Sequence, residues 1–108
     1  RNIEDVGISY TEALQLLAND IETCRADLAT FQWWGKLTMA QQYALIDMRF
    51  NLGATRFRQF RKMLACLSTG DYAGAATQMR QSKWATQVGA RAEELAGLVA
   101  EGKTETEP

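Results

Sequence analysis

The sequence predicts an all-α fold, with five to six helices packed around one central buried helix. At 108 residues the chain is expected to form one domain, and its 46% of hydrophobic residues suffices for a core. Apolar residues recur at helical spacing along most of the chain, and no stretch alternates apolar and polar residues over more than a few positions. The single proline is the last residue, Pro108, so nothing interrupts a helix from within.

The first helix is predicted over residues 9–28, after a polar lead-in at residues 1–8. Ser9 and Glu12 have the spacing of a capping box, which is typical of a helix N-terminus. The opposite face of this helix is polar and charged, so we expect it to face solvent. The apolar residues follow at intervals of three and four: Leu14, Leu17, Ile21, Cys24 and Leu28.

The central helix is predicted from about Met39 to Leu52. Thr38 and Gln41 form a second capping box in front of it, and Gly53 is placed to end it. A helix with apolar residues on nearly all sides is expected to be buried in the centre of its domain. The apolar residues of this one are Ala40, Tyr43, Ala44, Leu45, Ile46, Met48, Phe50 and Leu52.

Shorter helices are predicted after the central one, separated by glycines and by capping residues. Asp71 and Ser82 are the candidate N-caps, because short polar side chains accept hydrogen bonds from the first turn of a helix. Residues 101–108 are acidic and polar and are predicted to be a disordered tail. The predicted segments cover residues 55–69, 71–80, 82–88 and 90–100.

Composition excludes several functional classes. The chain has no histidine, which removes the usual general base and the commonest metal ligand, so neither a metal nor a cofactor is predicted. A net charge of −1 argues against a protein that coats nucleic acid. Cys24 and Cys66 are interpreted as small apolar residues of a reducing compartment, with a disulfide between them left open. No apolar run approaches the about 20 residues that cross a bilayer.

The acidic residues do not form a catalytic pair. Glu93 and Glu94 are adjacent on the last helix, and adjacent helical residues point in different directions. Asp47 lies on the mostly apolar central helix, and we interpret it as a buried or half-buried hydrogen-bonded side chain rather than a catalytic group. The residues alone therefore predict no catalytic site.

Several segments resemble the phage-type lysozymes, the T-even phage lysozyme family of glycoside hydrolase family 24. They are ALIDMRFNLG (44–53), GDYAGAA (70–76), SKWATQ (82–87) and Arg91, while ISYTEALQLLANDI (8–21) resembles the lead-in and helix that link the two lobes of the family. The resemblance implies that residues 9–28 form the inter-lobe helix and that residues 9–100 together form the C-terminal helical lobe. It also implies that the N-terminal lobe with the catalytic glutamate lies before Arg1.

The resemblance implies an endolysin or muramidase that hydrolyses the β-1,4 bond between N-acetylmuramic acid and N-acetylglucosamine in peptidoglycan. Such a protein would be phage-encoded, would move from the host cytoplasm to the periplasm and cell wall, and would contribute to cell lysis. Its expected partners are the saccharide chain and the catalytic lobe, and this segment is expected to be inactive by itself.

The resemblance also implies roles for four residues on the substrate cleft. Phe50 would lie against the saccharide chain, with core packing as an equally weighted alternative. Met63 and Gln78 would occupy sugar-contacting positions on the cleft wall. Arg91 would face the catalytic glutamate and orient it.

The tryptophans are interpreted separately from these four positions. Trp84 is expected to be core rather than a sugar platform. Of Trp33 and Trp34, one is expected to pack and the other to be exposed.

Two other functions remain open from the residues. The chain is also consistent with a non-catalytic binding or scaffold module that has a lysozyme-like helical fold. A helix-turn-helix nucleic-acid binder is the other alternative. Nucleic acid is nevertheless not expected as a partner, because much of the second helix is apolar and is predicted to face the core. Its basic cluster could equally meet an anionic cell-wall polymer: Arg49, Arg56, Arg58, Arg61 and Lys62.

Overall fold

The computed structural model describes the backbone of residues 10–102 and the side chains of residues 18–102. This part of the chain is all-helical, with seven α-helices and no strand, which confirms the predicted fold class. The predicted lead-in, the Ser9–Glu12 capping box and residues 103–108 of the predicted tail lie outside the described residues and side chains. The first two residues of that tail, Glu101 and Gly102, are ordered instead, as the last residue and the C-cap of the final helix. The helices are α1 (Tyr10–Leu28), α2 (Met39–Leu52), α3 (Ala54–Arg58), α4 (Arg61–Thr69), α5 (Tyr72–Arg80), α6 (Lys83–Val88) and α7 (Ala90–Glu101).

Seven helices are present in the described range, rather than five or six, partly because the predicted 55–69 segment is divided into α3 and α4. The amides of Gln59 and Phe60 donate to carbonyls three residues back, at 3.1 and 3.2 Å, which tightens the last turn of α3. Phe60 then leaves the helical region, with ψ 59°. The break allows Phe57 and Met63 to reach the same core from different helices.

The predicted capping residues lie at the ends of the helices and cap them. Thr38 accepts from the Gln41 amide while the Gln41 side chain accepts from the Thr38 amide, so the predicted capping box is confirmed. Asp71 and Ser82 likewise accept from amides in the first turns of α5 and α6. Gly53 ends α2 with φ +85°, a backbone conformation that favours glycine.

Helix α2 is buried along one face and open along the other. Its buried side chains are Ala40, Gln41, Ala44, Leu45, Met48 and Leu52. On the opposite face Met39 is 82% exposed, Tyr43 50% and Phe50 42%. The sequence pattern was apolar all round, but the structure covers only one side of the helix. Helix α7 shares the centre of the core, since it packs against α2, α5 and α6.

The aromatic connection between α1 and α2 is buried. Trp33 and Trp34 are each 7% exposed, so the prediction that one of them is exposed is wrong. Phe31 stacks on Trp33 with 4.8 Å between ring centroids, and the guanidinium carbon of Arg58 lies over the Phe31 ring, 5.1 Å from its centroid. Both tryptophans are therefore covered by packing that no local pattern in the sequence indicated.

Asp27 joins α1 to the two following helices. Its carboxylate accepts from Arg49 Nε of α2 at 2.9 Å and from both Nη atoms of Arg58, next to the end of α3, at 2.8 Å. The Arg58 guanidinium lowers the pKa of the Asp27 carboxyl from 3.8 to about 2, and Arg49 adds to the effect. Cys24 and Cys66 are both free thiols, as the apolar interpretation predicted.

Candidate functional site

The open face of α2 forms one wall of a groove, called here the α2 groove. It encloses about 580 Å³ and lies between α1, α2 and the start of α7. Its lining combines exposed apolar side chains with a few polar groups, which is typical of a binding cleft. The lining residues are Ile21, Met39, Gln42, Tyr43, Ile46, Asp47, Phe50, Asn51 and Arg91.

Arg91 is held at one side of this groove by three partners. Its Nη2 donates to the Tyr43 hydroxyl at 2.9 Å and to the Asp47 carboxylate, and its Nη1 lies 3.2 Å from the Glu94 carboxylate. The Arg91 side chain remains 44% exposed, so part of the guanidinium is still available to a ligand. The result is a fixed cation beside an apolar surface.

Asp47 is the half-buried hydrogen-bonded side chain that the sequence predicted. Its side chain is 15% exposed, and it accepts from Asn51 Nδ2 at 2.8 Å as well as from Arg91. Tyr43, Asp47 and Asn51 are four residues apart on α2, so they lie in one row that points at the start of α7. The spacing of these polar groups on an apolar helix indicates such a row, but its contact with Arg91 depends on the packing of α7 against α2.

The four predicted substrate-cleft residues fall into two separate pairs. Phe50 and Arg91 both line the α2 groove. Met63 and Gln78 line a second groove, which shares no residue with the first. Phe50 is 42% exposed, so its side chain contributes to the surface rather than to the core. Met63 is only 1% exposed, whereas Gln78 is half-buried.

The second groove, called here the basic groove, encloses about 590 Å³ between α3, α4, α5 and α6. Trp84 forms part of its wall but is 3% exposed, which confirms the prediction that it belongs to the core. The groove is lined by Arg56, Gln59, Phe60, Arg61, Lys62, Met63, Gln78, Gln81, Ser82, Lys83 and Trp84.

Within residues 18–102, some cations of the basic cluster form ion pairs and others form none. Arg49 and Arg58 form ion pairs with Asp27. Arg56, Arg61 and Lys62 line the basic groove, where Lys83 joins them from α6. Sequence reasoning missed Lys83 because it lies far along the chain from the other cations. The break between α3 and α4 also removes the continuous second helix that a helix-turn-helix reading requires.

The described part of the chain contains neither a cluster of metal ligands nor a membrane-spanning helix. No group of three or more cysteine, aspartate or glutamate side chains there is placed to hold a metal ion. None of the helices described above is both long and apolar enough to cross a bilayer.

Comparison with known proteins identifies the family. The chain is 26% identical over 103 residues to the pre-baseplate central spike protein Gp5 of Enterobacteria phage T4, covering 92% of this chain and 18% of that protein. The chain thus spans less than a fifth of the length of the curated relative it matches. No solved structure gives a significant match. The family model described as phage lysozyme matches residues 2–105, nearly the whole sequence, and the chain therefore belongs to the phage lysozyme family.

Proposed function

We propose that the chain is the substrate-binding part of a phage muramidase of glycoside hydrolase family 24, comprising the inter-lobe helix and the C-terminal helical lobe. Its substrate would be peptidoglycan, cleaved at the β-1,4 bond between N-acetylmuramic acid and N-acetylglucosamine. It would reach the host cell wall from the cytoplasm through the periplasm. The observation that carries the proposal is the α2 groove, where exposed Phe50 and anchored Arg91 lie together in a chain of the phage lysozyme family.

The α2 groove can bind a saccharide chain but does not contain the groups that would cleave it. Glycoside hydrolysis uses a protonated carboxyl as general acid and a second group that activates water or stabilises the transition state. Among the described residues that line the groove, Asp47 is the one acid, and Arg91 and Asn51 occupy its carboxylate. We propose that the general acid is a glutamate on a separate lobe that closes over the groove.

The contacts of Arg91 suit a role in orienting such an acid. An isolated guanidinium beside a carboxyl would lower the pKa of that carboxyl and keep it ionised, which is unsuitable for a proton donor. Here Asp47 and Glu94 offset the charge of Arg91. Arg91 can therefore donate a hydrogen bond that positions the incoming acid without strongly favouring its ionised form.

Retention on purified peptidoglycan sacculi tests the binding half of the proposal. We expect the 108-residue chain to pellet with sacculi, and Phe50→Ala to reduce the retained fraction by about fivefold, because an aromatic face lost from a sugar contact removes roughly 1 kcal/mol. Val88→Ala is the matched control, since Val88 is also exposed, at 37%, but does not line either groove. Equal retention of the two variants would contradict the role of Phe50.

Turbidity clearance of permeabilised cells tests the catalytic half. We expect no clearance by residues 1–108 alone, and clearance when a phage lysozyme lobe that carries the catalytic glutamate is fused before them. In that fusion Arg91→Gln should lower the rate by tenfold or more while sacculus retention stays within about twofold, because the interaction acts on the acid rather than on the glycan. Clearance by the unfused chain would refute the assignment of catalysis to a separate lobe.

A second candidate setting is a lysozyme module inside a larger phage structural protein. The similarity to a central spike protein, of which this chain matches 18%, favours this setting. The α2 groove would then bind the bacterial cell wall as part of a phage particle, rather than as part of an endolysin released inside the host. Antibodies raised against the chain would label purified virions in this setting and only lysates of infected cells in the endolysin setting.

A further inference from the structure

The basic groove concentrates positive charge without a matching acid. Arg56, Arg61, Lys62 and Lys83 come from three helices and line one concavity. No aspartate or glutamate appears among the described residues of its lining, and none of the four cations forms an ion pair within residues 18–102. Cations held together without counter-charges favour an anionic ligand.

A buried donor in the same wall also lacks a partner. The indole Nε1–H of Trp84 is buried and meets no acceptor in the described part of the protein. A buried donor left unpaired is costly, so this wall of the groove carries a local energetic penalty in the free protein. Because this N–H is shielded from solvent, a ligand in the groove does not contact it in this conformation. Trp84 serves instead as a spectroscopic reporter of the basic groove, which it lines.

We propose that the basic groove binds an extended polyol-phosphate chain, through phosphodiester oxygens that accept from its arginines and lysines. The inference does not depend on the proposed lytic function, because it rests on a groove that shares no residue with the one containing Phe50 and Arg91.

The chemistry of the lining favours phosphodiester over other polyanions. The cationic heads offer donors only, while the amide groups of Gln59, Gln78 and Gln81 offer both donors and acceptors. The phosphate groups of a polyol phosphate present acceptor oxygens to the cations, and its hydroxyls can exchange hydrogen bonds with the amides. A polycarboxylate peptide also presents a backbone N–H at every residue, for which the described lining offers few acceptors. Single-stranded nucleic acid requires exposed aromatic faces for its bases, but Trp84 is buried and Phe60 is half-buried.

Fluorescence anisotropy with a labelled oligo(glycerol phosphate) tests the proposal on the full chain. We expect binding that weakens as salt rises, because neutralised phosphates release counterions. The double variant Arg61→Gln, Lys62→Gln should weaken binding by roughly tenfold and reduce the slope of log K against log salt by about 1 to 2. Lys36→Gln is the control, because Lys36 is an exposed cation outside the groove, and it should bind within about twofold of the unmodified chain.

Trp84 provides a second readout that a general charge effect would not change. In an NMR titration, its indole N–H resonance should shift on addition of the oligomer, more than those of Trp33 and Trp34. Trp33 and Trp34 are the reference resonances, because neither residue lines the basic groove.

Three results would overturn the inference. The first is no binding of the oligomer at low salt. The second is equal loss of affinity in Lys36→Gln and in the double variant, which would indicate unspecific charge attraction. The third is tighter binding of polyglutamate or of a single-stranded DNA 12-mer than of the oligo(glycerol phosphate). Selective binding that the double variant weakens, together with the shift of the Trp84 indole resonance, supports it.

Discussion

Asp47 and Arg91 show how the chemistry of one residue depends on its neighbours. Considered alone, Arg91 near the start of the last helix would be interpreted as a solvent-exposed charge. In the structure Asp47 and Tyr43 lie one turn apart on α2 and hold the guanidinium at the edge of an apolar groove. Asp47 and Glu94 beside Arg91 partly neutralise its charge, and they therefore determine how strongly Arg91 would lower the pKa of a partner carboxyl.

Replacing Asp47 should move the pH dependence of the proposed enzyme. In the fusion that carries a catalytic glutamate, Asp47→Asn leaves Arg91 less neutralised, and the uncovered positive charge favours the ionised form of that glutamate. A general acid must be protonated, so the alkaline limb of the rate profile should move to lower pH by about 1 unit. Turbidity clearance between pH 4 and 9 measures this. The control is Asp20→Asn in an exposed position, and an unshifted limb in Asp47→Asn would contradict the role.

Asp27 should make the stability of the chain sensitive to acid. Its pKa is about 2 in the folded protein, below the ordinary 3.8, so the unfolded state binds the proton more readily. The stabilisation is therefore complete above about pH 4 and is lost as pH falls through about 2. Asp27→Asn should cost about 2 kcal/mol at pH 7 and flatten this dependence, as followed by urea unfolding. Unchanged stability at pH 7 would contradict the prediction.

At the scale of helices, local signals in the sequence were sufficient to predict where helices begin and end, but they did not predict the contacts between helices. The capping residues Thr38, Asp71 and Ser82 act where predicted, because a cap depends on residues only three positions away. The break at Phe60 and the burial of both Trp33 and Trp34 depend on packing against distant segments. The open face of α2 was missed for the same reason: an apolar pattern does not say which of its faces the protein itself covers.

Gln41 joins two helices and offers a test of such a contact. Its Nε2 donates to the Val99 carbonyl near the end of α7 at 2.9 Å, while its Oε1 accepts the Thr38 amide. Gln41→Glu keeps the capping acceptor but places a carboxylate against the Val99 carbonyl. We expect a loss of about 2 kcal/mol at pH 7 in urea unfolding.

Measurements at acidic pH distinguish the loss of the Gln41–Val99 hydrogen bond from a general disruption of α2. A protonated carboxyl at position 41 can donate to Val99 again, so the deficit of Gln41→Glu should shrink toward pH 4. Gln87→Glu on the exposed face of α6 is the matched control and should stay within about 0.5 kcal/mol of the unmodified chain at both pH values. A deficit that is independent of pH would indicate that the damage does not arise from this hydrogen bond.

At the scale of the whole molecule, two grooves of different chemistry lie on separate sets of helices. The basic groove is built from α3 to α6, and the α2 groove from α1, α2 and the start of α7. The residues of each pair predicted from the family resemblance, Phe50 with Arg91 and Met63 with Gln78, lie together, but the pairs line different grooves. A single sequence could not reveal this division, since it depends on which helices pack together: α7 packs against α2, whereas α4 packs against α5.

The exposed apolar surface of the α2 groove should make the chain self-associate weakly. Ile21, Met39, Tyr43 and Phe50 are each at least 42% exposed there, and burying them against a second copy removes apolar area from water. A patch of this size gives only a weak dimer, because association also costs translational and rotational freedom. The sedimentation coefficient should therefore rise with protein concentration. Met39→Glu should abolish the rise without altering the unfolding midpoint, since Met39 is 82% exposed. Val88→Glu, outside the groove, should still self-associate; a matching loss in that variant would place the contact elsewhere on the surface.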